Sequence, residues 1–292
     1  MTDPVPPKSV FSPARVEAEV ARQQTSSPQT EDPAYRLAFQ DMEFLLRQDL
    51  RPVRFQLELL KPELLLDEAD IASTFVFYGS ARIPEPAKAD ALIQNAATDH
   101  QRRIAERLKA KSHYYDEARS LARLASRVGR DAEGKQHFVV CSGGGPSIME
   151  AANRGAADEG ADTIGLNIVL PHEQLPNPYV TPSLSFQFHY FALRKMHFLI
   201  RARAVAVFPG GFGTFDEAFE LLTLIQTGKI KPLPILFFGA DYWRRVVSFE
   251  ALVEEGTISP NDLELFHFVE TAEQAWTHVC AYYADSDFPL GC

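Results

Sequence analysis

The chain has 292 residues, 46% of them hydrophobic and 23% charged, with a formal net charge of −10. That length suits one large α/β domain plus an extension, or two small domains, and the balance is that of a globular protein. The negative charge repels a phosphate backbone and so argues against a nucleic-acid polymer as partner, while a small phosphate ligand can still be held by main-chain N–H groups.

The three cysteines, Cys141, Cys280 and Cys292, contain no CxxC pair. Such a sparse, odd set gives no disulfide framework and fits a reducing, cytoplasmic compartment. The opening Met1-Thr-Asp-Pro-Val-Pro-Pro lacks the basic-then-apolar order of a signal peptide. No apolar run reaches the roughly 20 residues of a membrane span, so no membrane partner is expected.

Residues 1–30 are rich in Pro, Ser, Thr and Gln and read as a disordered arm. Residues 31–70 read as a helical extension, with Phe44, Leu45, Leu57, Leu59, Leu60 and Leu64 at helical spacing and with Pro52 and Pro62 breaking it into short helices. From residue 71 to residue 292 the pattern changes to alternating strands and helices. Thr74–Tyr78 is an apolar, β-branched and aromatic strand that runs into Gly79-Ser80-Ala81-Arg82. Helices are expected over 86–110 and 114–130, then a strand over His137–Cys141 and a helix from Ser147 to about Glu159. A strand over Thr163–Leu170 leads into a loop with Pro171, Pro176, Pro178 and Pro182. Phe188–Arg201 reads as a helix, Ala204–Phe208 as a strand, and Phe215–Gln226 as a helix. Pro234–Phe238 is the next strand, Trp243–Glu254 a helix, Phe266–Val269 a short strand, and Ala272–Tyr283 the closing helix. This order predicts a Rossmann-like, doubly wound α/β fold, its sheet mostly parallel and covered on both faces. Ligands in such sheets sit beyond the carboxyl ends of the strands.

Two segments echo each other at that edge. Gly143-Gly144-Gly145-Pro-Ser-Ile-Met149-Glu150 aligns with Gly210-Gly211-Phe-Gly213-Thr214-Phe-Asp-Glu217. Each follows an apolar strand and opens a helix. Glycine lets the backbone approach a ligand closely, and the unpaired N–H groups of a helix start suit an anion. A plainer reading competes: Ser147 with Glu150, and Thr214 with Glu217, each match a capping box, whose only task is to start a helix. Neither segment is a Walker loop, since no GxxxxGK[ST] pattern is present, and neither is a full GxGxxG.

Pro209-Gly-Gly-Phe-Gly-Thr-Phe-Asp-Glu217 resembles the PGGxGTxxE signature of the LONELY GUY (LOG) family, and Arg194-Lys195 resembles that family's Arg-Lys element. Gly79-Ser80 and the Gly143–Gly145 loop also match, so the resemblance covers about residues 71–285. Members are phosphoribohydrolases that split cytokinin or purine nucleoside monophosphates, often labelled lysine decarboxylases. The helical extension and the form Gly-Ser-Ala-Arg82-Ile-Pro resemble the longer bacterial branch, which favours a general nucleotide such as AMP and leaves cytokinin nucleotides as the alternative substrates. The resemblance also implies at least a homodimer.

It further implies cleavage of an N-glycosidic bond, a reaction that builds positive charge on ribose and calls for a carboxylate. Glu217 is the candidate to orient the attacking water and stabilise the ribosyl cation. Arg194 is the candidate to stabilise negative charge on phosphate or base, since its planar fork suits such a group and a guanidinium is a poor proton donor. The phosphate is expected on Gly210, Gly211, Gly213 and Thr214. Ser80, Lys195, Glu150 and the Gly143–Gly145 loop are weaker candidates for phosphate or ribose, and Met149 for the edge of the base. His197 and Arg201 share the helix face of Arg194 and read as a solvated basic face.

No cofactor is expected. A pyridoxal phosphate enzyme needs a Schiff-base lysine with a carboxylate facing the ring nitrogen, and Lys195, the lysine nearest the loops, is accounted for by the Arg-Lys pattern. No metal is expected either, because His113, His137, His172, His189 and His197 lack ligand spacing. Cys141, ending an apolar strand, reads as inert core. The competing reading is a nucleotide or nucleotide-cofactor carrier of the same fold, which needs the glycine loops but not Glu217 or Arg194.

Overall fold

The computed structural model describes residues 11–23, 25–171 and 175–284, and the chain divides into two compact units, Met1–Glu58 and Leu59–Cys292. The first carries α1 (Ala14–Arg22), α2 (Pro28–Glu31) and α3 (Met42–Leu45). Next comes α4 (Arg51–Glu68), one continuous helix rather than the short pieces expected from its prolines. Pro52 falls in its first turn, where an N–H has no partner to lose, and Pro62 is tolerated inside it.

The second unit continues with β1 (Thr74–Tyr78), α5 (Pro86–Gln94), α6 (Asp99–Lys109), α7 (His113–Ser126), β2 (Val139–Ser142) and α8 (Ile148–Asp158). Then follow β3 (Thr163–Ile168), β4 (Ser185–Phe188), α9 (Phe191–Ile200), β5 (Ala202–Val207) and α10 (Phe212–Gln226). The chain ends with β6 (Ile235–Phe238), α11 (Ala240–Val246), α12 (Phe249–Glu254), β7 (His267–Val269) and α13 (Ala272–Tyr283). Among the described residues no helix is long and apolar enough to cross a membrane.

The strands form one seven-stranded sheet in the order β4-β3-β2-β1-β5-β6-β7, and each neighbouring pair is parallel. This is the doubly wound α/β fold the alternation predicts. Residues on β1 alternate between the two faces. Phe75 and Phe77 join a core with Tyr115 and Leu121 of α7, Ile148 and Ala152 of α8, and Ala275 and Val279 of α13. Tyr78 faces the other way and meets Phe198 of α9 edge-on at 5.1 Å. The central strands are buried on both faces, which is why they read as unbroken apolar runs. The chain winds outward from β1 to β4, then returns to lay β5 on the other side of β1. That reversal is the switch point at which a crevice opens beyond the strand ends.

Three expectations shift for local reasons. The helix expected over 86–110 is two helices, because Thr98 accepts from the Gln101 N–H at 3.1 Å and starts α6 anew. The helix expected over Trp243–Glu254 is also two, with Ser248 accepting from Ala251 N–H at the start of α12. The edge strand β4 was not anticipated; it lies in the Pro-rich connection and pairs with β3. Cys141 is fully in the core, where burial pushes its thiol far above the ordinary range, so it stays neutral and inert.

Beneath the strand ends lies a buried polar knot. Asn153 of α8 accepts from Ser142 Oγ at 2.7 Å and from Asn177 Nδ2 at 2.8 Å, and its own Nδ2 donates to Thr163 Oγ1 at 2.6 Å. Asn153→Ala strands these groups away from water. The expected loss is about 2–3 kcal/mol of stability, read from the urea midpoint. A midpoint equal to that of the parent chain would mean the knot is dispensable.

Candidate active site

A cleft of about 880 Å³ opens at the carboxyl ends of β1, β2, β3 and β5. Three chain segments build its floor. The first follows β1 and carries Gly79, Ser80 and Arg82; the second follows β2 and carries Gly143, Gly145 and, at the start of α8, Met149; the third follows β5 and carries Gly210, Gly211, Gly213 and Thr214. Arg194 from α9 and Glu217 from α10 line the same space.

The segments are locked to one another. Ser80 N–H donates to Pro209 O at 3.2 Å, joining the first to the third. Ser147 holds a left-handed φ of 67°, and its hydroxyl donates to Ile83 O, joining the second to the first. Asn177 donates to Gly144 O from its backbone at 2.8 Å, and its Nδ2 to Gly145 O at 3.0 Å, tying the Pro-rich connection under the second. Gly144 has φ +71°, and a Cβ there would collide with the side chain of Asn167. Tyr242 of α11 donates to Gly210 O at 2.6 Å and steadies the third segment.

These bonds displace the capping-box reading. Ser147 and Gly211 are the N-cap positions of α8 and α10, and neither helix has a side-chain cap bond. Helix α10 starts at Phe212 rather than Phe215, so Thr214 and Glu217 lie inside it, and the Ser147 hydroxyl is committed to Ile83. The first turn of α10 therefore has no side-chain cap bond, and its residues line the cleft, an arrangement that suits an anion.

Arg194 is only 9% exposed. Its Nε donates to Leu166 O at 2.6 Å, its Nη1 to Glu217 Oε1 at 3.3 Å, and its guanidinium lies 5.0 Å from the centre of the Phe198 ring. Gly143 makes room for it, since a Cβ there would stand 2.5 Å from Nη2. Glu217 is buried almost as deeply. Burial pushes its carboxyl up, the Arg194 charge pulls it down, and burial wins, leaving it at about 7. A carboxyl at that value can hold or release a proton at neutral pH, as general acid–base work requires.

Three anticipated residues lie elsewhere. Lys195 turns away from the cleft to Asp216 at 3.0 Å and Glu220 at 3.1 Å. It lines a different cavity, of about 970 Å³, that contains neither glycine loop nor Glu217. The paired acid and guanidinium line the smaller cleft instead. Glu150 accepts from the Tyr115 hydroxyl at 3.0 Å and, like Gly144, is not part of the cleft wall. His197 and Arg201 are not a solvated face: His197 is buried with Nδ1 3.5 Å from Glu63 Oε1, and Arg201 bonds Glu63 at 3.1 Å and Asp67 at 2.8 Å. His172 lies outside the described residues.

Sequence reasoning passed over Arg82, Asn167, Phe212 and Tyr242 as cleft residues. Two left a signal: Asn167 is a polar residue inside an apolar strand, and Phe212 is an aromatic set between glycines, here 98% exposed at the cleft.

The family described as "Possible lysine decarboxylase" matches residues 149–279. The cytokinin riboside 5'-monophosphate phosphoribohydrolase LOG3 of Arabidopsis thaliana is 28% identical over 168 residues, 56% of this chain and 73% of that protein. The pyrimidine/purine nucleotide 5'-monophosphate nucleosidase of Escherichia coli K12 is 31% identical over 139 residues, 43% of this chain but 30% of that one. The chain is thus similar to these phosphoribohydrolases and nucleosidases over about half of its length. Among solved structures, the molybdenum cofactor carrier protein of Chlamydomonas reinhardtii is 15% identical, covering 73% of this chain and 99% of that one at a TM-score of 0.41. The decarboxylase description does not fit this chain's residues. Burial lowers the Lys195 ammonium's affinity for its proton, but Asp216 and Glu220 outweigh it and hold the group charged. A charged amine facing away from the cleft is not placed to form a Schiff base.

The burial of Glu217 has a consequence for stability. A folded carboxyl at about 7 keeps its proton between pH 4.5 and 7, where the unfolded one has released it. Stability from this group is therefore full below 4.5, falls across that window, and is flat above it. Glu217→Gln removes the cost, so the variant should match wild type at pH 4 and exceed it by about 3 kcal/mol at pH 8, measured by denaturant unfolding. An equal or lower stability at pH 8 would contradict the placement of Glu217 in a desolvated site.

Proposed function

We propose that this protein hydrolyses the N-glycosidic bond of nucleoside 5'-monophosphates, AMP-like ones foremost, to the free base and ribose 5-phosphate. The observation that carries the reading is the buried Arg194–Glu217 pair set beside the open start of α10. The LOG relatives support it, being named for that reaction.

In this reading the phosphate sits on the amides of Gly210, Gly211 and Gly213 with the Thr214 hydroxyl, and the ribose lies toward Glu217. Water adds to C1′ as the bond from C1′ to the base nitrogen breaks. The electron pair of that bond leaves with the base, which takes up a proton. Ionised Glu217 orients the water, accepts its proton, and offsets the positive charge that grows on the ribose. Arg194 holds the carboxylate in place and presents positive charge to the departing base. Ser80 and Met149 border the ribose and base.

Glu217 acts ionised, so kcat/KM for AMP should rise with pH through about 7 and level off above it. Glu217→Gln should still bind AMP while releasing adenine roughly 10²–10⁴-fold more slowly. Adenine release at the wild-type rate by that variant would remove Glu217 from the chemistry.

We also propose that the chain works as a homodimer or larger homo-oligomer. The LOG resemblance implies this, and α9 leaves Met196 and Ile200, one turn apart, exposed. Light scattering on the purified chain should give at least twice the 32.7 kDa monomer mass; a monomer at micromolar concentration would overturn it.

A further inference from the structure

The cleft walls carry few full charges. Arg194 and Glu217 face each other at 3.3 Å and neutralise one another, which leaves Arg82. Neighbouring cations are spoken for: Lys88 pairs with Glu85 at 3.0 Å, and Arg154 bonds the same carboxylate at 3.0 Å. Among the described residues the Arg82 guanidinium has no hydrogen bond or ion pair, and the residue is exposed at the cleft wall. Its backbone is nevertheless fixed. Arg82 N–H donates to Ser80 Oγ at 3.0 Å, and the next residue's carbonyl, that of Ile83, accepts from the Ser147 hydroxyl. Ser80 N–H in turn reaches Pro209 O at 3.2 Å, directly before the glycines at the head of α10. The segment thus places an unpaired guanidinium in the wall of the same cleft as the head of α10, on a chain whose overall charge of −10 repels an anion.

We propose that Arg82 is a specificity-determining residue that grips the 5'-phosphate of the substrate together with the α10 amides, so that the cleft takes phosphorylated nucleosides and rejects unphosphorylated ones. The planar fork of arginine suits two phosphate oxygens at once, and such charge-assisted bonds are the strong ones. Because no described side chain or carbonyl bonds the guanidinium, its donors are available to the ligand. The inference rests on the proposed nucleotide substrate, but it is tested by binding rather than turnover.

The test is calorimetric titration of AMP, adenosine and inorganic phosphate into the full-length Glu217→Gln chain, with and without Arg82→Ala or Arg82→Lys. The expected result is a roughly 10–100-fold weaker grip on AMP for Arg82→Ala, weaker binding of inorganic phosphate, no change for adenosine, and an intermediate value for Arg82→Lys. Added salt should weaken AMP binding more steeply when Arg82 is present. AMP affinity unchanged by Arg82→Ala, an equal fall for AMP and adenosine, or no AMP binding at all would each overturn the proposal. If AMP binds through Arg82 but the wild-type chain releases no adenine, the hydrolase reading fails while the phosphate grip stands.

Discussion

A carboxylate and a guanidinium are held together out of water, and the rest of the site is organised around that constraint. Glu217 and Arg194 sit 3.3 Å apart, both nearly inaccessible. Removing two charges from solvent costs several kcal/mol each, and their mutual attraction need not repay it. Here it does not repay Glu217, whose carboxyl stays at about 7. The scaffold must supply the difference. It does so with a doubly covered sheet, a backbone carbonyl at Leu166 for the guanidinium, and the Phe198 ring beneath it. A site that is costly to the fold and poised at neutral pH is what acid–base chemistry needs, and such sites are commonly held at the expense of stability.

The loops around the pair act as a single frame. Ser80 ties to Pro209, Ser147 to Ile83, and Asn177 to Gly144 and Gly145. Each bond joins segments far apart in sequence but adjacent at the strand ends. The side chain that Gly143 lacks is the space Arg194 occupies. The glycines therefore serve two ends: the one at 143 admits a side chain, while those at 210, 211 and 213 bare the start of a helix. The frame also explains how an acidic protein can take an anion, since amide dipoles and one uncompensated arginine act locally where net charge does not.

Much of this was legible in the sequence. The run Thr74–Tyr78 and its counterparts announced buried parallel strands, and the echo between Gly143–Glu150 and Gly210–Glu217 placed two loops on one edge. What was illegible depended on direction and distance. Arg194 and Lys195 are neighbours in the chain, yet a helix turns successive side chains about 100° apart, so one enters the cleft and the other meets Asp216 and Glu220. The echo suggested equal roles for Glu150 and Glu217, but only Glu217 faces the cleft; Glu150 is taken by Tyr115, whose position 35 residues upstream no local pattern reveals. The edge strand β4 escaped notice because prolines precede it and its register comes from β3. The histidine at 197 looked solvated because Glu63, on α4, is remote in sequence.

In the proposed hydrolysis an open helix start takes the phosphate, a buried acid of raised affinity for its proton activates water, and an arginine anchored to a strand carbonyl keeps that acid in position. The most direct test is a crystal structure of the Glu217→Gln chain soaked with AMP. The account expects the phosphate on the amides of Gly210, Gly211 and Gly213, with the ribose C1′ turned toward the side chain at 217. AMP seated in the cavity beside Lys195, or with its phosphate away from the α10 start, would contradict it.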